Sequence, residues 1–226
     1  MALLNRVLLC LLLVGAMLPL CADINVSLGG VACVPAGQGL CTAVTGATTI
    51  DFNGMAGNGS PLVSGPAHYT WVPAEGTPFV NGNGPGPCCY AAPPSDTTDY
   101  LTVGSGLPMP SDIYITFDVS MSYFGFYMGS PDAYNFITFY GAGDVPIRTF
   151  TGDQLLTPAG GDQTVGRFVN FWATSGTTFD KIVMSSDIAA FETDNHAYAA
   201  PDGGMTLMLL GSALVGLETL RRRFRA

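Results

Sequence analysis

Apolar and polar residues alternate through Ile113, Ile115, Phe117 and Val119. They alternate again over residues 134–140, where Asn135, Ile137 and Phe139 interleave with Phe136, Thr138 and Tyr140. A period of two marks a strand with one buried face. Tyr123 to Tyr127, Arg167 to Trp172, Phe179 to Met184, Ala190 to Phe191 and Ala197 to Ala199 read as further short strands, with Ile24 to Leu28 as an edge strand. Thr48 to Phe52 predicts another, with Ile50 and Phe52 on one face. Turn signals such as Gly129-Ser130-Pro131-Asp132 separate these runs, and from Asn53 to Asp99 glycine and proline are dense enough to leave only a brief strand near Tyr69 to Val72. No internal segment carries a long helical period. Many short strands between turns predict an all-β fold, a two-sheet antiparallel sandwich.

The two ends break this pattern. Arg6 precedes an apolar run from Val7 to Leu20, followed by Cys21-Ala22-Asp23. That layout predicts a secretory signal peptide over residues 1–22, cut after Ala22 by signal peptidase. At the other end Pro201-Asp202-Gly203-Gly204 leads into an apolar run from Met205 to Leu217, then Arg221, Arg222, Arg223 and Arg225. The run is shorter than the roughly 20 apolar residues of an ordinary spanning helix. Arginines at its end favour the cytoplasmic side. Residues 200–226 therefore read as a hydrophobic sorting helix with a transient membrane association, and residues 23–199 as one extracellular sandwich domain.

Charge narrows the partners. Between Asp23 and Ala200 there are 15 acidic residues and three basic ones, Arg148, Arg167 and Lys181, a net charge near −12. Nucleic acid asks for basic patches, so it is excluded as a partner. Four cysteines remain after signal removal. Cys33 and Cys41 bracket a loop with Pro35, Gly37 and Gly39, while Cys88 and Cys89 are adjacent. In an exported chain an even number of cysteines favours disulfides, and all three pairings of the four stay open.

The tail resembles the PEP-CTERM class of exosortase sorting signals, in its variant beginning Val-Pro-Asp-Ser-Gly. Ala200, Pro201, Asp202, Gly203 and Gly204 occupy the corresponding positions, and the leucine- and glycine-rich segment 209–217 and the arginines follow. Ala200, Gly203 and Glu218 depart from the pattern. The resemblance implies an exosortase-type processing enzyme as partner. It also implies delivery, from a membrane-retained precursor, to the cell surface or extracellular matrix of a bacterium that makes extracellular polysaccharide.

The body, from about Val119 to Tyr198, resembles a repeated signature of exosortase-dependent surface proteins. Its parts are the string from Phe124 to Tyr140, Phe150-Thr151-Gly152-Asp153, Phe168-Val169-Asn170-Phe171, and Phe191-Glu192-Thr193-Asp194-Asn195. That resemblance implies a jelly-roll-like β-sandwich similar to those of lectins and carbohydrate-binding modules.

Three sets of residues carry candidate chemistry. Asp132, Tyr134 and Asn135 combine a carboxylate, an aromatic ring and an amide suited to holding a sugar, although a turn with Asx hydrogen bonds uses the same residues. Asp51, Glu192, Asp194 and Asn195 are oxygen donors that a closed sandwich would bring together as a calcium site. Among the aromatics, exposure of Trp71, Tyr123, Tyr127 or Trp172 would favour sugar binding, and their burial a scaffold. Enzymatic signatures are absent: there is no His-Glu-x-x-His, no Gly-x-Ser-x-Gly and no phosphate-binding glycine loop. His196, beside Asp194 and Asn195, reads as a surface residue near a strand. The expectation is a non-catalytic surface or matrix protein associated with extracellular polysaccharide, with a glycan-specific, lectin-like module as the alternative.

Overall fold

The computed structural model describes residues 22–55, 61–71, 78–80, 90–104, 109–129, 131–156, 159–160, 164–174, 176–202 and 221. Signal-peptide residues 1–21, Cys88, Cys89, and the tail residues Gly203, Gly204, Arg222 and Arg223 lie outside that set. The described part is all-β, two antiparallel sheets packed face to face. Short helical turns span Ala142–Asp144 and Gly152–Leu155, and Arg221 is also helical.

The strands are β1 (Ile24–Leu28), β2 (Val31–Ala32), β3 (Leu40–Cys41), β4 (Thr48–Ile50), β5 (Leu62–Ser64), β6 (Ala67–Thr70), β7 (Phe79–Val80), β8 (Tyr100–Val103), β9 (Ser111–Met121), β10 (Tyr123–Met128), β11 (Asn135–Gly141), β12 (Val145–Thr151), β13 (Arg167–Ala173), β14 (Phe179–Ser186) and β15 (Phe191–Ala199). One sheet runs β1-β13-β10-β15-β8-β7, with β4 also paired to β15; the other runs β12-β11-β14-β9-β6-β5. Strands β2 and β3 form a separate small ribbon.

Phenylalanines join the sheets. Phe139 of β11 meets Phe171 of β13 at 5.0 Å between ring centroids, and Phe150 of β12 meets Phe171 at 5.3 Å. All three rings are buried, each stabilising the fold by about 1.5–3 kcal/mol relative to exposure. At the open side of the sandwich, Arg148 of β12 holds Asp23, just before β1, at 2.8 Å. That ion pair lowers the Asp23 pKa.

The alternating runs form the strands expected of them, and Asn135, Ile137 and Phe139 take the inward face of β11. Six strands lie outside the sequence reading, four of them (β2, β3, β5 and β7) only two or three residues long and too short to show a period. β8 is buried on both faces, so it has no alternation to detect, and β12 is a mostly exposed edge. The sequence also divides residues 190–199 into two short strands around a polar break. Instead, β15 runs unbroken through Glu192, Asp194 and Asn195, because its outer face is covered as well as its inner one.

Candidate functional site

β15 lies at the middle of its sheet, between β10 on one side and β8 and β4 on the other. Its inner face carries Phe191, Thr193, His196 and Tyr198. His196 is fully buried, with ring centroids of Phe52, Phe124 and Phe126 at 4.9, 5.3 and 5.7 Å. Its Nδ1 pairs with the Tyr69 hydroxyl at 3.0 Å and its Nε2 with Thr193 Oγ1 at 2.9 Å. Burial drives its pKa down to about 3, so the imidazole is neutral. The surface placement expected of His196 is therefore corrected: its polar atoms are satisfied within the core.

The outer face is built around an irregularity. Gly125 pairs with Ala197 but Tyr127 pairs with Asp194, so Asn195 and His196 together stand opposite Phe126. This one-residue bulge turns Asn195 outward with φ 51°, a left-handed conformation that asparagine tolerates better than most residues. Cys33 and Cys41 form a disulfide, and the loop it closes lies over the bulge. Asn195 Nδ2 donates to the carbonyls of Gln38 (2.6 Å) and Leu40 (3.2 Å) in that loop. Gly39, at φ +65°, allows the close approach, since a Cβ there would lie 2.1 Å from the Tyr127 ring.

Residues 93–98 complete the cover. Gln38 bridges Asp96, Gly39 N–H donates to Ser95 O at 3.2 Å, and Thr97 N–H donates to Gly37 O at 2.8 Å. Beside this cover, Tyr123, Tyr127, Phe168 and Ala197 form a second small apolar cluster with Leu40, Val44 and Ala47.

Under the cover the side chains of Asp96, Asp194 and Asn195 are buried together. Asp96 Oδ1 accepts from Thr98 N (2.9 Å) and Thr98 Oγ1 (2.7 Å). Asp96 Oδ2, both Asp194 carboxyl oxygens and Asn195 Oδ1 are buried with no hydrogen-bond partner. Burial raises the Asp194 pKa to about 10; a proton-sharing contact with the Asp96 carboxyl and its charge add to this, the Asn195 backbone N–H opposes it, and the Asp51 charge adds a smaller share. None of these contacts meets full hydrogen-bond geometry at the Asp194 oxygens.

Of the four residues expected to share calcium, Asp194 and Asn195 lie here. Asp51 acts on Asp194 through charge, and its own oxygens accept from Asn53 N and Nδ2. Glu192 Oε1 instead accepts from Ala91 N at 3.0 Å; burial, with the nearby Asp132 charge adding to it, raises the Glu192 pKa to about 7. Asp96 is the member the sequence reading misses, since Pro93-Pro94-Ser95-Asp96 carries only a turn signal. Among the described residues no three His, Cys, Asp or Glu side chains converge as a metal-binding group, and two carboxylates with one amide oxygen make up this cluster.

The candidate sugar residues form a turn. Asn135 is fully buried: its Oδ1 accepts from Asp132 N at 2.6 Å, and its Nδ2 donates to Ser186 Oγ at 2.8 Å and Ala190 O at 3.2 Å. Asp132 and Tyr134 keep part of their surface, and the Tyr134 hydroxyl donates to Asp132 Oδ2 at 2.8 Å. The Phe150-Thr151-Gly152 string also has a packing role, because a Cβ on Gly152 would lie 2.0 Å from Asp132 O.

Of the four aromatics considered for sugar binding, Trp71, Tyr123 and Tyr127 are buried. Trp172 alone among them is 39% exposed, and its ring lies 4.5 Å from that of Tyr123. Tyr123 is held in turn by Asn170 Oδ1 at 2.8 Å and Thr42 Oγ1 at 2.7 Å.

These features define a two-sheet antiparallel sandwich with a disulfide-bonded cover on one outer face. No family model matches the chain, and no curated protein matches it. Among solved structures, the K2 cleaved adhesin domain of Lys-gingipain is similar with a TM-score of 0.42 and 11% identity, over 69% of this chain and 99% of that one. A likeness this distant carries no functional information.

Proposed function

We propose that this chain is a non-catalytic exported protein of a bacterial surface or extracellular matrix, sorted by an exosortase-type enzyme and associated with extracellular polysaccharide. The supporting observation is how the polar residues of the recurring motifs are used. Asn135, Glu192, Asp194 and Asn195 are all buried, and Asn135, Glu192 and Asn195 hold turns and the cover by hydrogen bonds rather than facing an open cleft. A general acid or base must reach a substrate proton. The Cys33–Cys41 disulfide agrees with an oxidising compartment. The sorting step rests on the resemblance of residues 200–226 alone. Intact-mass measurement of the exported protein, from cells with and without the exosortase, tests it. Loss of Met205–Ala226 only in the presence of the enzyme is expected, and an exported species that keeps those residues would refute the sorting step.

A second reading, a glycan-binding module, is favoured by Trp172. Its half-exposed ring on a fixed tyrosine is the kind of rigid apolar platform that stacks on a sugar face. Polysaccharide pull-down with and without calcium, using wild type and Trp172→Ala, distinguishes the two. Retention that disappears in the variant supports glycan binding through this ring, whereas no retention in either condition removes the glycan reading.

A further inference from the structure

The buried oxygens beneath the disulfide loop are the least satisfied part of the described molecule. Buried polar atoms in native proteins nearly always have a partner, and each exception needs a physical explanation. Here four lie together: Asp96 Oδ2, Asp194 Oδ1, Asp194 Oδ2 and Asn195 Oδ1. All four are acceptors, so turning one side chain does not satisfy another. Rotating the Asn195 amide does not help either, because its Nδ2 already donates to Gln38 O and Leu40 O, and a flip would set Oδ1 against two carbonyls.

We propose that Asp96, Asp194 and Asn195 form a binding site for one hard divalent cation of the calcium class, closed over by the Cys33–Cys41 loop. The proposal does not depend on the sorting or glycan readings.

A buried water donates at most two hydrogen bonds to the four acceptors and leaves the carboxylate charge uncompensated, so three other occupants compete for the cluster. A proton shared between Asp96 and Asp194 supplies one O–H donor, and the Asn195 backbone N–H also acts on Asp194, yet Asn195 Oδ1 stays bare and one negative charge stays buried. No cation is among the groups that shift Asp194, although the Arg167 charge reaches Tyr127 beside the cover. Arg148 pairs with Asp23, Lys181 with Asp144, and the Arg167 Nη1 donates to Gly166 O. A divalent cation accepts all four oxygens at once and neutralises both carboxylates.

The donor set is oxygen only, as calcium and other hard cations require. Calcium takes six to eight such ligands, so water or Asp51 completes the shell. Zinc prefers nitrogen and sulfur, and the sulfurs nearby are tied up in the Cys33–Cys41 disulfide, with Cys33 Sγ 3.4 Å from the Asn195 Nδ2 donor. The site also explains the cover. The disulfide, the bulge at Asn195 and the Gln38–Asp96 bridge hold donors that lie 98 residues apart in sequence, Asp96 to Asp194, in a fixed arrangement before any ion arrives. This set differs from the one read in the sequence: Asp96 enters as a ligand and Glu192, engaged by Ala91 N–H, leaves it.

The test uses the exported chain after chelation, titrated with calcium chloride by isothermal calorimetry and followed by thermal unfolding. One calcium per chain is expected. The midpoint should rise by about 5 °C or more when calcium stands near 100 times its dissociation constant. Asp194→Asn is nearly isosteric with the protonated carboxyl and removes a carboxylate ligand. It should fold, unfold no lower than chelated wild type and lose the calcium response, while Glu192→Gln keeps it. If Asp194→Asn does not fold, Asp96→Asn takes its place. Absence of calcium heat and of any midpoint shift in wild type would overturn the site and leave a shared proton as the occupant. A response that survives in Asp194→Asn would also overturn it, because calcium would then be binding elsewhere on an acidic surface.

Discussion

The two faces of β15 are both buried, yet they solve the problem of buried polarity in opposite ways. On the inner face His196 and Thr193 satisfy each other and Tyr69, and the ring stays neutral between phenylalanines. On the outer face, one residue away, Asp194 and Asn195 keep three oxygens without a partner, and Asp96 from the cover adds a fourth. Burial alone therefore does not separate a structural polar residue from a ligand-binding one. Completeness of hydrogen bonding is what distinguishes the two faces, since each unpaired buried acceptor costs about 1–3 kcal/mol.

The sharpest way to break this contrast is on the inner face. His196→Ala removes a ring packed on Phe52, Phe124 and Phe126 and leaves the Tyr69 and Thr193 hydroxyls unpaired, so it should destabilise the fold by about 3–5 kcal/mol in chemical denaturation. A loss below about 1 kcal/mol would mean that His196 is not a core residue in the sense argued.

Glu192 sharpens the comparison through pH. Its folded pKa, about 7, lies above the ordinary 4.5, so its neutral form is favoured by folding. The associated stability is complete below the unfolded value and is lost as pH rises through the folded one. Between about pH 4.5 and 7 wild type should lose roughly 3 kcal/mol relative to Glu192→Gln. Parallel stability curves for the two proteins over that range would show that the carboxyl is solvated.

The smallest expected effect concerns the cover. Replacing Cys33 and Cys41 by serine opens a loop of sequence separation 8 and should cost about 2 kcal/mol through unfolded-state entropy. It should weaken calcium binding more than it weakens the inner core, which near-ultraviolet circular dichroism of the aromatic cluster can follow separately. Equal loss of both would show that cover and core unfold as one unit.

Alternation was enough to find β9 and β11, each with one face in the core, whereas β13 and β14 were read as short strand-like runs without a clean period. It failed for β8, covered on both faces, and for β12, exposed along most of its length. It failed again across Glu192 to Asn195, where polar residues suggested a break in a strand that has none. The candidate cluster was half legible for the same reason. Asp194 and Asn195 stand out as acidic and amide neighbours, but Asp96 sits in an ordinary-looking turn. The pairing of Cys33 with Cys41, one of three open choices, is likewise a result of the fold.

Periodicity, turn residues and charge are local properties of the chain, and they determined that this is an all-β, acidic, strand-and-turn protein. Which polar residues are buried, which of those are satisfied, and which distant donors face one another depend on a bulge at Asn195 and a loop laid across it. Those are contacts between segments far apart in sequence, and only the tertiary structure decided them.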